Sequence, residues 1–140
     1  MKGYTIQELH VGLTVREEFP VTEQMGLEFA GVSGDTNPVH LDQAYAASTR
    51  FGGKIAHGML IGSFISNVIG TRLPGEGSIY VKQELTFVRP VYYGDTVCVE
   101  IAVKELIKEK NKVVLSTDCY NQKGKKVIAG EALVMPKEEE

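Results

Sequence analysis

Cysteine is scarce in this chain. Cys98 and Cys119 are its only thiols, and neither belongs to a CxxC pair or another metal-spaced cluster. That excludes a disulfide framework and predicts two buried free thiols. An excess of one charge is also lacking: the formal net charge is −3. No basic footprint for nucleic acid or an anionic membrane is visible, and neither is expected as a partner. No apolar run approaches the length of a membrane span. The opening M-K-G-Y-T-I-Q-E-L has no signal-type hydrophobic stretch, so a reducing cytoplasm is the expected location.

Several chemical signatures are missing too. Gly52-Gly53 lacks the Lys-Ser/Thr that completes a phosphate-binding P-loop, and no G-x-S-x-G nucleophile elbow occurs. Asp35, His40, Asp42 and His57 could gather around one ion. However, no HExxH or paired ligand motif lies on a regular element, so no metal is expected. Internal repeats, low-complexity segments and linkers are absent.

What remains is an ordinary globular composition, 43% apolar and 24% charged over 140 residues. It suits one domain spanning 1–140, with 137–140 a solvated tail because like charges close it at Glu138-Glu139-Glu140. Residues 11–19 read as a first strand. Thr22-Glu23 starts a short helix whose apolar positions are Met25, Leu27, Phe29, Ala30 and Val32. After Gly34 the chain should be irregular, since Asn37-Pro38 favours a turn and disfavours helix before the proline. A short helix over Leu41–Ser48 with Asp42 near its start follows, broken by Phe51-Gly52-Gly53. Gly58 to Arg72 is apolar around most of its circumference, which predicts a buried helix. The second half is β-branched and partly alternating over Ser78–Arg89, Thr96–Lys108, Lys112–Asn121 and Lys125–Met135. Turns at Lys110-Asn111 and Gln122-Lys123-Gly124 look like hairpins. The expected architecture is α+β: an antiparallel sheet of about five strands wrapped around one long buried central helix. One helix covers only one face of such a sheet, so a homodimer is expected.

Chemistry concentrates between Phe29 and Leu60. Asp35 and His40 lie five residues apart, and a turn at Asn37-Pro38 can bring both onto one side of a loop. Histidine titrates in the useful range, whereas an aspartate needs partial burial, here among Phe29, Val32 and Phe51, to become a working base. His57-Gly58 opens the apolar helix. A helix N-terminus presents unpaired N–H groups, and a glycine there lets a carbonyl oxygen approach the backbone closely. His57 reads more readily as a structural residue than a catalytic one. Ser66 lies two turns beyond Gly58 on the same helical face, although Ser63 and Ser66 can equally bond back to the helix. These parts suit conjugate addition of water to an α,β-unsaturated thioester.

The stretch S-G-D-T-N-P-V-H-L-D…F-G-G-K-I-A-H-G-M-L resembles the signature of R-specific enoyl-CoA hydratases, the MaoC-like branch of the hot-dog superfamily. The later F-V-R-P-V-Y-Y-G-D-T-V resembles the strand-turn-strand of that family, and the likeness spans roughly residues 11 to 135. It implies a single hot-dog domain and a homodimer. It also implies reversible syn hydration of trans-2-enoyl-CoA to (R)-3-hydroxyacyl-CoA. No cofactor is implied, because coenzyme A is part of the substrate. By matching positions, Asp35 and His40 would be the catalytic pair and the Gly58 N–H the oxyanion donor. Asn37 would hold the loop or touch substrate, with Ser66 and His57 in support. The alternatives are a hot-dog acyl-CoA thioesterase or carrier-protein 3-hydroxyacyl dehydratase, or a non-catalytic acyl-CoA-binding module. The first two usually carry a carboxylate on the central helix, and Gly58 to Arg72 contains none.

Overall fold

A computed structural model describes residues 2–139. Five strands, β1 (Thr14–Pro20), β2 (Ile79–Phe87), β3 (Thr96–Ile107), β4 (Lys112–Tyr120) and β5 (Lys126–Met135), form one antiparallel sheet in the order β1-β3-β4-β5-β2. The two longest hairpins follow from local chemistry. Asn111 adopts the left-handed conformation (φ 50°) between β3 and β4, which asparagine tolerates better than most residues. Between β4 and β5 the Asn121 carboxamide oxygen accepts from the N–H groups of Lys123 and Lys125. Alternation then aims Val97, Val99, Ile101 and Val103 of β3, with Val113, Leu115 and Cys119 of β4, at the same face.

On that face lies the long helix α4 (Gly58–Thr71), which buries Leu60, Ile61, Phe64, Ile65, Val68 and Ile69 against the strands. Phe64 stacks on Phe19 of β1 with ring centroids 4.7 Å apart. Each fully buried aliphatic side chain stabilises by about 1.5–3 kcal/mol, so this helix–sheet contact is the main source of cohesion. Three further α-helices lie among the described residues: α1 (Glu23–Ser33), α2 (Pro38–Leu41) and α3 (Gln43–Ala47).

The α+β architecture, all five strands and the long helix follow the sequence reading, with differences at specific points. β1 starts at Thr14 because Gly12 turns the chain at φ +95° and donates to the Val103 carbonyl. The segment expected to be irregular contains α2, since Pro38 occupies the first helical turn and the Asn37 side chain caps it. α4 is not buried all round: Met59, Ser63, Ser66, Asn67 and Gly70 form an exposed stripe. Both thiols are free, but only Cys119 is buried, and burial pushes its thiol up to about 12. Cys98 is partly exposed. Of the tail, Glu138 and Glu139 are exposed, and Glu140 lies outside the described residues. Among the described residues, no helix is long and apolar enough to cross a membrane.

Ile65 has no exposed surface and sits midway along α4. Ile65→Ala should lower the unfolding free energy by about 2–5 kcal/mol in a denaturant titration. A loss below about 1 kcal/mol would remove α4 from its place as the organiser of the core.

Candidate active site

The loop that carries Asp35 is built by relayed side-chain bonds. α1 begins where the Thr22 hydroxyl accepts from the Met25 N–H, and it ends at Gly34 in the left-handed conformation (φ +79°). Beyond that cap the Ser33 hydroxyl accepts from the Asp35 N–H, the Asp35 carboxylate from the Asn37 N–H, and the Asn37 side chain from the Val39 N–H. Such short Asx-type links replace backbone hydrogen bonds in tight turns. They hand the chain into α2, whose third residue is His40. The Asp42 carboxylate accepts from the Tyr45 N–H and so caps α3, which takes it out of the site.

Two backbone carbonyls fix the two histidines. His40 Nδ1 lies 2.8 Å from the Ile55 oxygen, and His57 Nε2 lies 3.0 Å from the Asp35 oxygen. A carbonyl only accepts, so each of these nitrogens carries a proton, leaving lone pairs on His40 Nε2 and His57 Nδ1. His57 is 1% exposed and its Nδ1 has no hydrogen-bond partner. The rings stack with centroids 4.0 Å apart and planes 28° apart, and Phe29 closes over His57 at 4.9 Å. His57 is therefore buried beneath His40.

One ligand-type atom each of Asp35, His40 and His57 lies within 4.8 Å of the others. A single water bonded to two groups at about 2.8 Å with a near-tetrahedral angle needs them about 4.6 Å apart, a separation inside this limit for the carboxylate and the His40 ring. The same spacing meets the ligand number of a metal site, but the stacking does not suit one. Nearly parallel rings aim their in-plane lone pairs side by side rather than at one bonding point.

Two tyrosines hold this assembly against the sheet. The Tyr93 hydroxyl donates to the His40 carbonyl at 3.0 Å, and the Tyr92 hydroxyl donates to the Phe51 carbonyl at 2.9 Å. The Ala56 N–H donates to the Val91 carbonyl, and the Tyr92 N–H to the Asp95 carboxylate. Gly94, at φ +101°, allows the turn that presents both rings. These tyrosines were legible only as part of the V-Y-Y-G-D segment, with no signal of which carbonyl each would meet.

Gly58 begins α4 with His57 as its N-cap. The first turn leaves the Gly58 N–H without an intrahelical acceptor. The room left by its missing side chain is filled rather than open: a Cβ would lie 2.7 Å from the Phe87 ring. Glycine is thus needed here for Phe87 to pack, a reason the sequence did not disclose. Asp35, His40, His57 and Gly58 share one cavity of about 420 Å³, whose other walls include Phe51, Ile61, Phe87, Val91 and Ile128. Asn37 holds the loop but does not line this cavity, and Ser66 lies outside it on the exposed stripe of α4. Asp35 is exposed, and Val32, expected to shield it, is 89% exposed. The burial that the sequence reading asked for is not supplied by this chain alone.

Gly26 of α1 abuts Tyr93, and a Cβ there would lie 2.1 Å from the hydroxyl oxygen. Gly26→Ala should therefore push Tyr93 off the His40 carbonyl and reduce stability by about 1–3 kcal/mol in thermal or denaturant unfolding. Unchanged stability would mean the clamp is not seated as described.

A family model described as "MaoC like domain" matches residues 7–123. An (R)-specific enoyl-CoA hydratase of Rhodospirillum rubrum is 54% identical over 107 residues, 76% of this chain and 74% of that protein. One of Aeromonas caviae is 43% identical over 130 residues, 91% of this chain and 96% of that protein. A solved structure titled as an R-hydratase from Pseudomonas aeruginosa, in the unliganded form, superposes with a TM-score of 0.93 at 49% identity. The superposition covers 98% of this chain and 88% of that one. With a family model matched over residues 7–123 and relatives of 43–54% identity, the chain belongs to the MaoC-like family of hot-dog proteins.

Proposed function

We propose that the protein is an (R)-specific enoyl-CoA hydratase, reversibly adding water across trans-2-enoyl-CoA to give (R)-3-hydroxyacyl-CoA. The observation that carries this reading is the spacing of the Asp35 carboxylate and the His40 ring, within 4.8 Å of each other in a cavity that also holds Gly58. Water bound between the two gives up a proton to the pair as its oxygen attacks the β-carbon. Negative charge develops on the thioester oxygen, where the Gly58 N–H and the positive end of α4 meet it. The pair then returns the proton to the α-carbon, so water adds from one face. Neutral His40 offers Nε2 as a lone pair because Ile55 holds the other nitrogen protonated. Asn37 keeps the loop closed, and His57 supports His40 from below. No resident cofactor or metal is needed, since coenzyme A arrives as part of the substrate. The absence of acidic residues on α4 and the pairing of Asp35 with His40 favour hydration over thioester hydrolysis.

The active unit in this proposal is a homodimer in the cytoplasm. Edge strand β2 contacts α4 where Leu85 meets Gly62 and Phe87 meets Gly58. Around that seam Met59 (57% exposed), Ile79, Val81, Phe87 and Val88 leave apolar surface uncovered beside an unpaired strand edge. Both features are unfavourable in a free monomer and are relieved together by a second copy. Ser66 lies on the stripe that such a partner would cover, so any support it lends the site acts through that interface.

Crotonyl-CoA mixed with the protein should lose its enone absorbance without releasing free thiol. Thiol release would instead identify a thioesterase, and no change a binding module. Asp35→Asn and His40→Ala should each reduce kcat by about 10²–10⁴-fold with the fold intact by circular dichroism. Near-normal turnover in either variant removes that residue from the mechanism, and a flat rate profile from about pH 5 to 9 removes acid–base work by the pair. In light scattering the native protein should have twice the chain mass, and Met59→Lys/Val81→Lys should shift it to the monomer. A native monomer with full turnover would refute the dimer.

A further inference from the structure

The chain has four arginines, and their surroundings divide them into two kinds. Arg16 pairs with Glu100 at 2.8 Å, and Arg72 approaches Glu17 at 3.7 Å. Arg50 and Arg89 have no carboxylate partner among the described residues, and these two are the ones that line the cavity. Apart from Asp35 they are the only charged side chains in its wall. In a protein of net charge −3, two unpaired cations at one opening are not explained by general charge balance.

Both guanidinium groups are nevertheless held in place by uncharged neighbours. Arg50 lies over the Phe51 ring, with its central carbon 4.9 Å from the ring centroid. Arg89 donates through Nη1 to the Lys126 carbonyl at 2.7 Å, which ties the segment after β2 to the start of β5. Cation–π contact and a carbonyl acceptor orient the planar group without neutralising it, and most of its N–H donors stay free. Fixed, exposed and uncompensated guanidinium forks match phosphate geometry, because two parallel N–H bonds reach two phosphate oxygens at once.

We infer that Arg50 and Arg89 form an anion subsite at the cavity mouth that takes the phosphates of the coenzyme A moiety, while the thioester reaches past them to Asp35, His40 and Gly58. This rests on the acyl-CoA reading and extends it by naming the side chains that hold the charged end of the substrate. The apolar remainder of the wall suits the pantetheine arm and acyl chain, which carry no charge. Binding through these two residues raises affinity and adds nothing to the bond-making step, so it governs KM rather than kcat.

The test compares ligands with and without phosphate. Calorimetric titration of free coenzyme A and of pantetheine is run on the wild type, Arg50→Met, Arg89→Met and the charge-preserving Arg89→Lys. Methionine keeps much of the apolar stem and removes the charge. Coenzyme A should bind each methionine variant about tenfold more weakly or worse, with Arg89→Lys in between, and pantetheine should bind all four proteins alike. KM for crotonyl-CoA should rise in parallel with kcat within about twofold. Unchanged coenzyme A binding in both methionine variants, or an equal loss for pantetheine, overturns the assignment. A wild type that binds coenzyme A through these arginines yet does not hydrate crotonyl-CoA would sink the hydratase reading and leave the subsite standing.

Discussion

Two hydrogen bonds to backbone carbonyls, Ile55 to His40 and Asp35 to His57, hold the site together, because each fixes an imidazole in one tautomer and one orientation. They also cross-link three segments distant in sequence: the turn after α1, the one-turn helix α2, and the entry to α4. With the rings stacked at 4.0 Å, a displacement of one segment is transmitted to the others. A carboxylate and an imidazole held this way keep a fixed separation within 4.8 Å. Mobile side chains would meet that geometry only in passing, and positioning of this kind accounts for a large part of enzymatic rate enhancement.

The sheet and long helix serve that geometry from outside. α4 supplies the backbone donor at its first residue, and its remaining turns bury the apolar side chains that keep the axis fixed against β3 and β4. The segment before β3 contributes Tyr92 and Tyr93, which reach back to the carbonyls of Phe51 and His40. The segments that carry Phe51 and His40 are thus anchored through hydroxyls from the turn that leads into β3. Small residues make these approaches possible, Gly26 beneath Tyr93 and Gly58 beneath Phe87.

Charge and exposure mark where the chain is open to others. The cavity wall holds two arginines without a carboxylate partner among the described residues, and the seam between β2 and α4 holds apolar side chains without cover. The first suits an anionic substrate, the second a copy of the same chain. Asp35 is exposed in the single chain, and Val32, 89% exposed, does not shield it.

Local signals carried much of this. Partly alternating β-branched runs located the four strands of the second half, and Thr22 and Asp42 marked helix starts because their side chains cap the next turn whatever the wider fold does. The spacing of Asp35 and His40 was legible for the same reason, since a proline turn joins them directly. The sequence by itself therefore determined the elements, the fold class and the nearness of Asp35 to His40, all of which depend on residues a few positions apart. Tertiary structure alone decided that His57 stacks under His40, that Tyr93 meets the His40 carbonyl, that Phe87 fills the space over Gly58, and that Arg50 and Arg89 share an opening. These partners lie from 17 to 53 residues apart in the chain, counting 17 between 40 and 57 and 53 between 40 and 93. Contacts at such separations are set by how the helix seats on the sheet, which no local pattern of residues encodes.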